Sequence, residues 1–216
     1  MKKEKKLYIK DIEKPEYSVY LNNDKDIIKY IKRIEKIVRS STEYKDYIAF
    51  LKEYVDMTAC TFFNKVNSAE SRRIHVEIHH EPLTLMDIVS IVLTKWIDDG
   101  TPLNDLLIAD EVMELHYRNL VGLVPLSKTV HETIHSGNQN AIIPLYVVYG
   151  NYREFILQYE DYISDDIIEK LQRKIDVTKA INDNSFSLYE LGFETIEVDG
   201  VELLQKIGTD GENKDQ

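Results

Sequence analysis

The chain has 216 residues, 43% of them hydrophobic and 30% charged, a globular composition that excludes an intrinsically disordered chain. Its 27 Lys/Arg against 38 Asp/Glu leave a net charge of -11, which excludes a sequence-independent nucleic-acid coat protein, since such a protein needs a basic face to displace counterions from phosphate. One cysteine, Cys60, excludes both an internal disulfide and a Cys-rich zinc knuckle.

Charge is unevenly spread. Residues 1–70 carry 15 Lys/Arg and 12 Asp/Glu, a net +3, and residues 151–216 carry 7 and 16, a net -9. Any contact with nucleic acid is therefore expected on the N-terminal side, and the acidic C-terminal region is the expected surface for a protein partner. The positive start MKKEKK is not followed by the apolar core of a signal peptide, because Tyr8, Lys10, Asp11 and Glu13 come next. No stretch approaches the roughly 18 apolar residues of a membrane span. The expectation is a cytoplasmic protein, in a bacterial or phage-infected host cell, without a membrane partner.

The polar residues 1–24 include a candidate strand at 17–20 and end at Asn22-Asn23-Asp24. Ile27, Ile28, Ile31, Ile34 and Ile37 recur near helical spacing with Lys/Arg opposite, which predicts an amphipathic helix with a basic face. Ser41, Thr42 and Glu43 cap a second helix to about Val55, carrying Tyr47, Ile48 and Leu51. Cys60 lies beside Thr61, Phe62 and Phe63, the setting of a buried, inert thiol. RIHVEIHH at 73–80 alternates, Ile74, Val76 and Ile78 on one side and His75, Glu77 and His79 on the other, which predicts a strand ended by Pro82. Helices follow over Leu85–Ile97, stopped by Asp98-Asp99-Gly100, and from Leu106 to about Tyr117. Val121–Leu126 reads as a short strand interrupted by Gly and Pro, and Ser127 as the cap of a short helix, KTVHETIH, ended by Ser136-Gly137. Ile142–Val148 is apolar and expected to be buried. Helices over 151–159 and 165–180 precede a hairpin, 193–198 and 201–207, turning at Asp199-Gly200.

The fold class is α+β, divided into an N-terminal helical region (1–70), a central module with a helical insertion (71–150), a C-terminal helical and hairpin extension (151–207) and a polar tail (208–216).

Five of the six histidines form two groups, His75, His79 and His80, then His131 and His135; His116 stands between them and reads, like His75, as a structural residue. His131 and His135, four apart, share one helix face about 6 Å apart along the axis, which suits two ligands of one metal ion. His79 and His80 are adjacent on a strand, so they point to opposite faces and cannot do the same work. One can ligate while the other meets substrate.

A strand ending in His-His, a short strand, and then a helix with two His four apart resembles the ββα-metal motif of HNH endonucleases, in the histidine-rich form of nuclease colicins and phage HNH proteins. The resemblance covers about residues 73–138. It implies metal-dependent hydrolysis of phosphodiester bonds in nucleic acid, with DNA the expected substrate, His79, His131 and His135 as metal ligands and His80 as general base. The cofactor it implies is one divalent metal ion, Mg²⁺ or the Zn²⁺, Ni²⁺ or Mn²⁺ that imidazoles favour. The motif's Asn, nine residues before the first helix His, is replaced here by Gly122; Asn119 is the nearest candidate for an orienting residue. The candidate phosphate-binding cations near in sequence are Arg72, Arg73, Arg118 and Lys128. The same resemblance and the Lys/Ile/Asn-rich composition suggest a phage or low-GC bacterial source. Two other classes use the same residues. HETIH at 131–135 matches H-E-x-x-H, which would make Glu132 the base of a zinc protease, with Glu154 or Glu160 to be sought as third ligand. A structural or interaction protein would keep the frame without the chemistry.

Overall fold

The structure is a computed structural model. It describes residues 21, 23–63, 65–71, 73–135, 142–181, 193–198 and 201–206, the last two segments as backbone only. The candidate strand at 17–20, Arg72, Ser136-Gly137, Asp199-Gly200 and the 208–216 tail lie outside these residues.

Helix α1 (Asp24–Ser40) starts on Asn23, whose side chain accepts the Asp26 N–H, and buries Tyr30, Ile31, Ile34 and Val38. Ser41 separates it from α2 (Thr42–Tyr54). Its N–H reaches back to the Ile37 and Val38 carbonyls, and its hydroxyl accepts the Tyr44 N–H, so one residue closes one helix and opens the next. Strand β1 (Val76–His80) follows a loop, then α3 (Leu85–Asp98), opened by a Thr84–Asp87 capping box, and α4 (Asp105–Tyr117), capped by Asn104. Strand β2 (Leu123–Ser127) runs directly into α5 (Lys128–His135). A short 3₁₀ turn at Leu145–Val147, α6 (Tyr152–Gln158) and α7 (Asp165–Ile181) complete the helical part. Strands β3 (Phe193–Val198) and β4 (Val201–Lys206) pair antiparallel as the sequence predicts, Val198 opposite Val201.

The α+β class stands. Strand β1 pairs antiparallel with β2, His79 opposite Val124 and His80 opposite Leu123, and α3 and α4 form the insertion between them. One apolar core gathers side chains from α1, α2, α3, α4, α6 and α7, so the N-terminal, central and C-terminal segments pack together. A smaller cluster, Val124, Leu126 and Ile143, receives Val130 and Ile134 of α5. Of the apolar run at 142–148, Ile143 and Leu145 are buried and Tyr146 is exposed, because the segment turns instead of running straight through the interior.

Candidate metal centre

Two neighbouring stripes on α5 build the site. Val130 and Ile134, four apart, anchor the helix on β2. His131 and His135, one residue further on, are thereby turned toward His79 at the end of β1. One ring nitrogen from each of the three lies within 4.8 Å of the other two. His131 Nε2 and His135 Nε2 are 3.1 Å apart, close to the about 3.3 Å that two imidazoles need around a tetrahedral zinc-sized ion. The donor set is three nitrogens of intermediate softness, which fits a first-row divalent cation better than an all-oxygen cation such as Ca²⁺.

Carboxylates stand beside two of the three histidines. Glu77 Oε2 lies 2.8 Å from His131 Nδ1, which fixes the proton there and turns the bare Nε2 toward the cluster. Glu81 Oε2 lies 3.5 Å from His79 Nε2, and the other Glu81 oxygen is paired with Lys174 of α7. Glu77, His79 and Glu81 share one face of the extended chain, a period-two signal legible in the sequence but not assigned from it. Burial pushes His131 and His135 below the usual imidazole range, the Glu77 carboxylate opposing this at His131. Both rings are therefore neutral at pH 7, with lone pairs available.

His80 is the next residue of β1. It is buried, stacks on Tyr44 and places Nε2 3.0 Å from His116 Nε2. The protons can be located. His116 Nδ1 is 2.7 Å from the Val112 carbonyl, which can only accept, so Nδ1 carries the hydrogen. Burial brings His116 down to about 4, so the ring is neutral and its Nε2 is bare. His80 must then donate from Nε2, which leaves Nδ1 as its basic nitrogen. Burial, and next the neighbouring His116, hold His80 well below the ordinary imidazole value.

All four histidines line one cavity of ≈ 340 Å³, together with Arg39, Ile78, Thr84 and Leu85. Arg39, at the end of α1, is half-exposed and paired with Glu35 at 3.0 Å. It belongs to the basic face expected of that helix.

The other sequence-derived candidates are elsewhere. Arg73 and Arg118 are exposed, and Lys128 pairs with Glu132 on the outside of α5; none of the three lines the cavity. Asn119 sits in the turn after α4 with φ 57°, its carbonyl accepting the Asn151 N–H. Asn119 does not line the cavity. At Gly122 a Cβ would lie 1.9 Å from the Glu81 carbonyl oxygen, so the close approach of β2 to the end of β1 leaves no room for an asparagine side chain. His116 takes the place beside the His80 ring. Glu132 points to Lys128, and the third imidazole comes from His79, upstream, where a zinc protease reading sought a downstream ligand. Glu154 serves Asn151 and Gln158. Cys60 is buried, as expected. His75 is exposed, its carbonyl accepting the Lys128 N–H at 3.3 Å.

A family model for bacteriophage G278-like virion proteins matches residues 2–204. The chain belongs to that family. The phage association suggested by composition together with the HNH resemblance is thereby supported, and the family's description names a virion protein and no enzymatic activity. No curated protein and no solved structure matches the chain. Among the described residues of this virion-family chain, no helix is long and apolar enough to cross a membrane.

Proposed function

We propose that this phage virion-family protein binds one divalent metal ion through His79, His131 and His135 and uses it to hydrolyse phosphodiester bonds of nucleic acid, with DNA the first substrate to test. The observation that carries the reading is the convergence of three imidazoles, from a strand end and the helix after its partner strand, in one cavity with His80 and Arg39. This is the arrangement expected of an HNH-type ββα-metal module. A bound cation supplies Lewis-acid stabilisation of negative charge on the phosphate. Arg39 offers the phosphate a guanidinium on the same cavity wall. His80 Nδ1 takes the proton of the attacking water as its oxygen bonds phosphorus, and the departing ester oxygen is protonated from solvent.

A second reading, a metal-stapled virion protein without hydrolytic chemistry, is favoured by the environment of His80. Its Nε2 is tied to His116 and burial weakens it as a base. In that reading the acidic C-terminal region serves as the contact with other proteins. Supercoiled-plasmid nicking with and without Mg²⁺, Mn²⁺, Ni²⁺ or Zn²⁺ separates the two. The nuclease reading expects metal-dependent nicking in the wild type and loss of at least about 100-fold in His80→Ala, the range for removing a general base. Metal binding without cleavage of plasmid, single-stranded DNA or RNA would leave the stapled protein standing.

A further inference from the structure

Helix α7 presents three polar side chains at four-residue spacing toward the rest of the fold. Lys170 pairs with Asp87 at the start of α3 at 3.0 Å, Lys174 pairs with Glu81, and the Thr178 hydroxyl accepts the Leu145 N–H at 3.0 Å. The middle contact is unusual in its burial: Glu81 is only 2% exposed. Its backbone is also fixed, its N–H donating to the Gly122 carbonyl at 3.0 Å. A buried ion pair contributes little net stability, since apolar residues of the same volume do as well or better. Glu81 Oε2 reaches the metal-cluster residue His79 at Nε2, 3.5 Å away, yet Glu81 is not among the groups that converge with His131 and His135. It stands behind His79 and outside the ligand set.

We infer that Glu81, held by Lys174, is a positioning residue of the histidine metal site: it keeps the proton on His79 Nε2, so that His79 presents Nδ1 to the cation. This rests on the metal site proposed above. The pair also ties the site to α7, about 90 residues further along the chain. Outer-shell partners of this kind change metal affinity about 10- to 100-fold when removed.

Zn²⁺ is the probe. Long-range ¹H–¹⁵N spectra of the wild-type protein loaded with Zn²⁺ should show His79 coordinated through Nδ1 and protonated on Nε2; coordination through Nε2 overturns the inference without any variant being made. Calorimetric titration should then show Zn²⁺ affinity reduced about 10- to 100-fold in Glu81→Gln and in Lys174→Met, with Glu81→Asp intermediate. Folding of each variant is checked by circular dichroism; if Glu81→Gln does not fold, Lys174→Met and the wild-type spectrum decide. Unchanged affinity in folded Glu81→Gln overturns the positioning role while His131→Ala, by abolishing binding, still supports the site. Absence of Zn²⁺ binding in the wild type removes the site itself, and this inference with it.

Discussion

His116 sets the proton positions around His80, and its burial makes it a stability device as well. Its folded value of about 4 lies below the ordinary 6.5, so between those values the unfolded chain binds a proton that the native ring refuses. The stabilisation is complete above pH 6.5 and is lost as pH falls toward 4. For His116 alone it is on the order of 3 kcal/mol, and His80 shifts in the same direction. Urea midpoints should therefore fall steadily from pH 7 to pH 4.5, and His116→Leu should flatten that fall; a midpoint independent of pH would contradict the assignment. Gly122 is constrained just as tightly. A Cβ 1.9 Å from a backbone oxygen cannot be relieved by a rotamer, so Gly122→Ala should cost at least about 3 kcal/mol in chemical denaturation. The four histidines proposed for the site were legible in the sequence because their spacings, two adjacent on a strand and two four apart on a helix, are local. Glu81 was not assigned, and His116 was read as structural without its contact to His80, because their roles depend on which residue packs behind a ring, and that is settled by α7 and α4, far away in sequence.

At the scale of elements, most boundaries were written locally. Asn23, Ser41, Thr84 and Asn104 each accept an orphan N–H at a helix start, and the helices begin where those caps stand. The hairpin at the C-terminal end was legible from its Asp-Gly. What local signals did not convey was the docking of α7, whose polar stripe at 170, 174 and 178 looks on paper like an ordinary solvated face. The stripe predicts its own test. Thr178→Val keeps the shape but leaves the buried Leu145 N–H without its acceptor, so it should lower unfolding free energy by about 1–3 kcal/mol in urea denaturation. Likewise Lys128, Arg73 and Arg118 looked like phosphate contacts by proximity in sequence, whereas Arg39 reaches the cavity because α1 packs on α3 and α4.

For the whole molecule, family membership and the cluster geometry make different statements. The family match says where relatives of this chain occur, in the phage virion, and the histidines say what chemistry the fold can hold. An acidic chain with a net charge of -11 and a single arginine on the cavity wall would grip one phosphate near a cation and not coat a duplex. Because the three clustered histidines come from β1 and from α5, an ion bound by them would cross-link the two, and the folded state would gain stability by mass action. At a hundredfold excess over Kd the gain is about 2.7 kcal/mol, which for a chain of this size raises Tm by roughly 5–10 °C. The most direct test is calorimetric titration of the metal-free protein with Zn²⁺ and Ni²⁺, repeated on His79→Ala, His131→Ala and His135→Ala. One ion per chain is expected for the wild type, with that binding lost in each variant. Wild-type binding that survives any one of the three substitutions unchanged would contradict the proposed site.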